Sequence, residues 1–238
     1  VFQGKKSNDG IKQFDISNEI SIQTVKSVKL LGMTIDNELN FSDHMKGIIS
    51  KRSKITNTIA RLTHFLSKES KLLIFKAFIQ SNLDYCSIIY HHCSTSDARK
   101  IEAIQKRFLK YVLNDFKSPY ITLLEVSNQS SQYLCRQRTV IETVYKIMNN
   151  LLPPLDDSFF TARTNGHELR GNNILSKPRY KKKKYGYKSL KFQGPLLWNS
   201  IPDNLRCQDD LKTLKLLIKR WDPTCDCNSC LSCTLKSI

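Results

Sequence analysis

Four cysteines close to the end of the chain are the residues best suited to hold a metal. They follow the pattern Cys-x-Cys-x2-Cys-x2-Cys, at Cys225, Cys227, Cys230 and Cys233. Cysteine thiolates are common ligands of structural zinc, which takes four ligands at the corners of a tetrahedron. The usual zinc motif separates two Cys-x2-Cys pairs by a longer loop, so this compressed spacing leaves two interpretations open. In the first interpretation the cysteines bind Zn²⁺, and Cys207 or a histidine can complete a site formed by three of them. In the second they are reduced thiols on a flexible tail.

A lysine run flanked by tyrosines has the chemistry of a nucleic-acid contact. The basic residues are Arg179, Lys181, Lys182, Lys183, Lys184 and Lys188, and the tyrosines are Tyr180, Tyr185 and Tyr187. Lysines that neutralise phosphates release counterions, and tyrosine rings stack on unpaired bases. We predict that this segment contacts single-stranded or structured RNA. The alternative is a solvated charge run, which would also suit a nuclear localisation signal.

The whole chain is strongly basic. Its 238 residues carry a formal net charge of +17, and residues 158–192 alone contain ten basic residues against one acid. A field of this sign attracts polyanions, of which nucleic acid is the commonest. No run of eighteen apolar residues is present, so the sequence predicts no membrane span and no membrane partner. Without a secretory signal, we expect a reducing compartment, nuclear and cytoplasmic.

The apolar pattern places these residues on two kinds of element. Between residues 11 and 36 the apolar spacing is near two, which predicts short strands with a turn at Asn18-Glu19. Gly32 stands inside an apolar run, where glycine usually indicates a bulge or a close backbone approach. The spacing after residue 42 predicts helices, the first capped by Ser42 and exposing Lys46, Lys51, Lys54 and Arg61.

Further helices are predicted downstream of this first one. One begins near Ser67 and is apolar enough to be buried on most sides. Another is capped by Ser94, and a third runs from about residue 130 to 150, where Pro153-Pro154 stops it. We interpret Trp198 and Trp221 as core residues. Cys86, Cys93 and Cys135 are interpreted as small core residues of helices.

Five segments in this order resemble the end of a reverse transcriptase from a jockey-like non-LTR retrotransposon, a LINE. The resemblance extends over nearly the whole chain. Its segments are Val28–Asp36 with Leu39, Phe41 and His44, then Phe78–Cys86, Ile101–Leu109 with Asn114-Asp115, Tyr185–Pro202, and Leu211–Trp221 followed by the cysteines. By this resemblance, Leu30, Leu31, Gly32 and Asp36 belong to the primer grip, which holds the 3′ end of a primer. The helix after residue 42 would be the first thumb helix, with its basic residues on the phosphates of a template–primer duplex.

The catalytic residues of such a polymerase are missing from the sequence. The family's metal-binding motif, an aromatic residue followed by Ala-Asp-Asp, would lie upstream of residue 1, as would the endonuclease domain. The acidic pairs Asp156-Asp157 and Asp209-Asp210 are interpreted as solvated loop or cap residues. They lack the flanking strands that two-metal phosphoryl transfer requires. We therefore expect no enzyme activity from this chain alone, and Mg²⁺ only in the parent polymerase.

These patterns together predict a mainly α fold: a thumb-like helical bundle, a short N-terminal antiparallel β element and a basic, partly disordered C-terminal segment. The expected divisions are 1–41 (end of the palm), 42–154 (thumb-like domain), 155–192 (basic RNA-binding segment) and 193–238 (small helical element with the cysteine tail). Expected partners are RNA, RNA–DNA hybrid or DNA, and the upstream palm and fingers. The alternatives are a stand-alone nucleic-acid-binding module, with or without zinc, and a helical protein-interaction domain.

Overall fold

The computed structural model describes residues 13–17, 20–23, 25–62, 65–153, 159–163, 173–181 and 183–221, with the backbone alone at 13–17, 20–23 and 183–184. The fold is mainly helical with a short antiparallel β element at the N-terminus, as the sequence predicts. Within these residues, none of the helices combines the length and the apolar character needed to cross a membrane.

Four short strands form two antiparallel hairpins before the first helix. Strands β1 (Gln13–Ser17) and β2 (Ile20–Gln23) pair with each other, as do β3 (Ser27–Leu30) and β4 (Met33–Asp36). Because Leu30 pairs directly with Met33, the second hairpin has a tight turn at Leu31 and Gly32, with φ of 46° and 85°. Positive φ at both central residues is what a type I′ turn requires. Of the two roles expected for Gly32, a bulge or a close backbone approach, the bulge is not found, because the register of this hairpin is regular and the glycine makes its turn. The predicted turn at Asn18-Glu19 lies outside the described residues.

We expect Gly32→Ala to lower the free energy of unfolding by about 1–2 kcal/mol, because a positive φ brings Cβ close to the carbonyl oxygen. Space is not the obstacle, since a Cβ at Gly32 would lie 3.8 Å from Tyr85 Cε1. Gly32→Asn is the matched control and should lose less, because asparagine tolerates this conformation. Urea unfolding measures both. An alanine variant as stable as the wild type would contradict the strained turn.

The helices follow in chain order, with π-helical segments named π1 and π2. They are α1 (Ser42–Leu62), α2 (Lys68–Ile74), π1 (Phe75–Gln80), α3 (Ser81–Asp84), α4 (Ser87–Tyr90), α5 (Thr95–Leu113), α6 (Tyr120–Ser127), α7 (Gln132–Met148), π2 (Lys183–Tyr187), α8 (Leu190–Ser200), α9 (Asp203–Arg206) and α10 (Leu211–Arg220). Helix α2 begins next to Ser67, which caps it, and Ser94 caps α5 as predicted. Ser42 is the first residue of α1 rather than its cap.

Three hydrophobic clusters hold the described helices together, and the smallest joins α5 to α6 through Leu109, Tyr120 and Leu123. The first joins α1, π1 and α5 to β4, with Met33, Met45, Phe75, Ile79 and Phe108 among its buried residues. The second joins α7, α8 and α10 and is centred on Trp198, which is 1% exposed. The interpretation of Trp198 as a core residue is therefore confirmed. Trp221 is partly buried and packs against the same cluster.

Several sequence expectations about the helices were wrong. The segment after Ser67 is not buried on most sides, since Leu73 is 68% and Phe78 57% exposed. Its buried residues, Phe75 and Ile79, all face the α1–α5 side. Helix α6 was not predicted, because its apolar sequence has little helical periodicity. Helix α7, by contrast, agrees with the predicted helix from about 130 to 150, since it covers Gln132–Met148 and ends before the prolines. Asn150 follows its end with φ of 53°.

The basic segment between residues 155 and 192 contains more structure than the sequence predicts. Ala162 bridges Leu175, Lys183–Tyr187 forms π2, and α8 begins at Leu190. Helix α8 is anchored by side chain to backbone contacts, since Asn199 Nδ2 donates to the Leu175 carbonyl over 2.8 Å. Trp198 Nε1 donates to the Asn173 carbonyl, also over 2.8 Å. These bonds fasten residues 173–175 to the second hydrophobic cluster.

Candidate nucleic-acid interface

Helices α1 and α5 lie side by side and run in the same direction. Near their starts, Asp97 of α5 is close enough to Lys46 of α1 to help raise the pKa of that lysine, after the larger effect of Asp43. Further along, Arg107 of α5 donates to Asn57 of α1 over 3.2 Å. Both helices contribute buried residues to the first cluster, and α5 also packs against α6 and α7, so each helix leaves only part of its surface exposed.

The outward faces of these helices together form one basic surface, here called the α1–α5 basic face. Its exposed residues are Lys46, Lys51, Lys54, Arg61, Arg99, Lys100 and Arg107. Lys46 pairs with Asp43 over 3.0 Å and Lys100 with Asp97 over 3.8 Å, both near the helix starts. Within the described residues no salt bridge involves the other members. Positive charge therefore accumulates toward the C-terminal ends of the helices.

The α1 half of this face agrees with the predicted positions, and the α5 half was missed. Lys54 and Arg61 are two helical turns apart, and Asn57 lies between them on the same side of α1. The bond from Arg107 to Asn57 brings a basic group of α5 beside these two. The available signal was that the predicted α5 also carries the basic residues Arg99, Lys100 and Arg107 beside its apolar positions.

The predicted primer-grip residues form the β3–β4 hairpin and the loop after it. Leu31 is 82% and Leu30 57% exposed, so the tip presents apolar side chains. Tyr85 fixes this tip, since its hydroxyl donates to the Leu31 carbonyl over 2.6 Å. Asp36 is a structural residue. Its carboxylate accepts hydrogen bonds from the backbone N–H groups of Glu38, Asn40 and Phe41 at 3.0, 3.0 and 2.6 Å. Asp36 therefore shapes the loop that leads into α1.

His44 connects the hairpin to α1. Its Nδ1 accepts from the Thr34 backbone N–H over 3.3 Å, and its ring lies 6.0 Å from that of Tyr90. Burial, with a smaller contribution from Lys51, lowers the pKa of His44, which keeps the ring neutral and able to accept this bond. These contacts make His44 a packing residue between β4, α1 and Tyr90.

The lysine–tyrosine segment is only partly available to a ligand. Arg179, Lys181 and Lys188 are exposed. Tyr187 is half-buried in an aromatic cluster, with ring centroids 5.3 Å from His92, 5.3 Å from Phe192 and 5.9 Å from Tyr180. Tyr187 is therefore a packing residue rather than a free stacking surface. Lys182 lies outside the described residues, and for Lys183 and Lys184 the structure describes the backbone only.

A cavity of about 340 Å³ lies beside this aromatic cluster. It is bounded by residues 39–41 before α1, by residues 88–93, and by Tyr185, Lys188, Ser189 and Leu190 at the start of α8. His91 and His92 line one wall. Burial, His91 and Lys188 together lower the pKa of His92 to about 4, so that its ring is neutral at pH 7.

Acid is expected to destabilise the contact between His92 and the C-terminal segment. Because the folded pKa of His92 lies below its unfolded value, this stability is present above pH 6.5 and is lost as the pH falls toward 4. Discounted for partial exposure, the loss should be about 1 kcal/mol. We expect His92→Phe to reduce the difference in unfolding free energy between about pH 7.5 and pH 5. The other histidines remain in both proteins, and an unchanged difference would contradict this assignment.

The predicted zinc ligands Cys225, Cys227, Cys230 and Cys233 lie outside the described residues, so zinc stays a prediction. Cys207 is exposed, and in the part of the chain that the structure describes no cluster of His, Cys, Asp and Glu could hold a metal. Cys86, Cys93 and Cys135 are half-buried, and Cys135 alone lies inside a helix, because Cys86 makes a turn with φ of 52° and Cys93 follows α4. Burial raises the pKa of the Cys135 thiol to about 11.

Of the two acidic pairs in the sequence, the structure describes Asp209-Asp210. Asp210 caps α10, since its carboxylate accepts from the Thr213 backbone N–H over 3.0 Å. The cap interpretation of this residue is confirmed. Asp156 and Asp157 lie outside the described residues.

Comparisons of the chain with protein-family models, with curated proteins and with solved structures find no match.

Proposed function

We propose that this chain binds nucleic acid through the α1–α5 basic face, as the part of a retrotransposon reverse transcriptase that holds a template–primer duplex. In this proposal the basic face contacts backbone phosphates, the β3–β4 hairpin contacts the primer end, and residues 179–188 contact RNA. The catalytic aspartates and Mg²⁺ belong to the upstream part of the parent polymerase. The chain alone binds without polymerising.

The observation that carries the proposal is the concentration of basic side chains on two parallel helices. Lys46 and Arg61 are separated by about 22 Å along α1, a length that spans many phosphates of a duplex. Two carboxylates accompany the face at one end, where they pair with Lys46 and Lys100. The other end, with Lys54, Arg61 and Arg107, supplies charge for phosphates. The hairpin supports the proposal because Asp36 and His44 join it rigidly to the start of α1.

Binding of a fluorescent RNA hairpin and of an RNA–DNA hybrid across a salt series tests the proposal. We expect tight binding at low salt, with log K falling steeply as log salt rises. Replacing Lys181 to Lys184 together with alanine should reduce the slope by about 1 for each phosphate that these lysines neutralise in the wild type. Weak binding that responds neither to salt nor to the variant would refute nucleic-acid binding. Primer extension by the pure chain with Mg²⁺ and dNTPs would refute the absence of catalysis.

A second candidate function is protein interaction, and it rests on a different surface. Leu30 and Leu31 of the hairpin are exposed together with Tyr85, which contacts the same turn. Leu73 and Phe78 add exposed apolar area on α2 and π1. Apolar residues at this density favour contact with another protein surface, which in the parent polymerase would be the upstream palm. Near-zero affinity for RNA at low salt would favour this function over the first.

A further inference from the structure

The cavity beside α4 has walls suited to a flat aromatic ligand. Its volume of about 340 Å³ falls within the usual size range of small-molecule sites. The aromatic rings of Phe41, Tyr90 and Tyr185 line it together with the aliphatic side chains of Ile89 and Leu190. Rings and aliphatic groups of this kind enclose the faces of nucleobases, because every base has a π surface.

One polar atom in the wall lacks a partner. His91 Nδ1 lies 2.5 Å from the Ile88 carbonyl oxygen, so Nδ1 carries the proton. Nε2 of the same ring is then an acceptor, and it is buried without a hydrogen-bond partner among the described residues. Burial lowers the pKa of His91, which keeps this nitrogen unprotonated at pH 7. Because this nitrogen is not accessible from the cavity, a base there is held by the rings and aliphatic groups of the wall.

The cavity lies at the end of the α1–α5 basic face where both helices begin. Phe41 directly precedes α1, and Tyr90 contacts His44 in its first turn. Lys188 also lines the cavity and lies close enough to Cys93 and His92 to act electrostatically on both. Asp97, which helps to start α5, acts on both Cys93 and Lys46. A strand that follows the basic face would therefore reach the cavity with Lys188 beside it.

We propose that this cavity receives one unpaired nucleobase of a strand bound on the α1–α5 basic face. The base stacks against Tyr185 and Phe41, and Lys188 neutralises the adjoining phosphate. This proposal rests on the proposed nucleic-acid binding and adds to it a site for an unpaired base. The strand's phosphates supply most of the affinity, and the cavity adds a preference for strands that carry bases.

The test compares a 12-nucleotide single-stranded RNA with a strand of equal length and charge that is abasic at every position. We expect the full-length wild-type chain to bind the base-carrying strand about tenfold more tightly. Ile89→Trp, which fills the cavity from its rim, and Tyr185→Ala should both bring this ratio close to one. Tyr185→Phe keeps the ring and Ile121→Trp adds the same indole on α6, so both should preserve the wild-type ratio.

The outcomes separate the cavity from the basic face. Equal, salt-dependent binding of both strands by the wild type would overturn the base site and leave the proposed function standing. A base preference that survives Ile89→Trp would overturn it too, since the bases would then stack elsewhere. Failure of either strand to bind at low salt would overturn both proposals. Each variant should unfold at the same temperature as the wild type. Changes in the ratio of the two affinities then arise from the cavity and not from loss of the fold.

Discussion

Replacing Lys54, Arg61 and Arg107 together with alanine is expected to weaken binding of an RNA–DNA hybrid by about 10- to 100-fold at low salt. These residues lie on the part of the basic face where no carboxylate pairs with them among the described residues, so their charge is available to phosphates. All are exposed on the outer sides of α1 and α5. Their replacement should leave the fold intact, because exposed charges contribute little to stability.

The salt dependence of binding tests this prediction most directly. Each phosphate contact contributes about 0.9 to the slope of log K against log salt, so the slope of the triple variant should be smaller by about 2.7. The matched control replaces Lys212, Lys219 and Arg220 of α10, which are also exposed and carry the same total charge. If affinity and slope fall equally in both triple variants, the binding depends on net charge alone. The α1–α5 basic face would then not be the binding surface.

The elements that the sequence predicts well are those with a strong local signal. Ser67 and Ser94 cap α2 and α5 because a serine side chain can accept from the backbone of the next turn, a requirement that involves a few neighbouring residues. The apolar spacing of α5 likewise depends on one helix and one core. By contrast, α6 has an N-terminus at Pro119 without a side-chain cap and nearly uniform apolar character. Its helical state depends on packing against α5, which no local pattern encodes.

The sequence predicted the α1 residues of the candidate site but not its α5 residues, again because only the first have a local signal. Lysines of α1 stand out because the helix around them is evidently amphipathic. Their neighbours on α5 required knowledge that the two helices run parallel, which Arg107 and Asn57 establish by contact. The role of Tyr187 was equally inaccessible, because His92 lies far away in the sequence and meets the ring only in the folded chain. Tertiary contacts therefore decide which of the predicted aromatic residues can meet a ligand.

Glu102→Ala is expected to destabilise the fold by about 3–5 kcal/mol, the largest stability effect among these predictions. Glu102 is fully buried on α5, and its carboxylate accepts from the Tyr120 hydroxyl at 2.6 Å and the Tyr133 backbone N–H at 2.7 Å. It also accepts from the Gln132 backbone N–H at 3.2 Å. The two backbone groups open α7, so a carboxylate of one helix satisfies the N-terminus of another.

Removing this carboxylate leaves several buried groups without a partner. The N–H groups of Gln132 and Tyr133 lose their acceptor, each at a cost of about 1–3 kcal/mol. Arg136 is 4% exposed and lies close enough to lower the pKa of Glu102, against the larger raising effect of burial. Its positive charge would remain buried without the nearby carboxylate. Tyr120 keeps one bond, since its hydroxyl also contacts Gln105 Oε1 at 2.9 Å.

Urea unfolding of three variants separates this network from ordinary packing. Glu102→Gln retains one acceptor oxygen and similar volume, so it should be less destabilised than the alanine variant although it lacks the charge opposite Arg136. Glu125→Ala on α6 is the exposed control and should change the free energy of unfolding by less than about 0.5 kcal/mol. A destabilisation by Glu102→Ala no larger than that of the control would contradict the capping role of the carboxylate. Since α5 carries both Glu102 and the basic residues Arg99, Lys100 and Arg107, its placement by this buried carboxylate also fixes the surface proposed to meet nucleic acid.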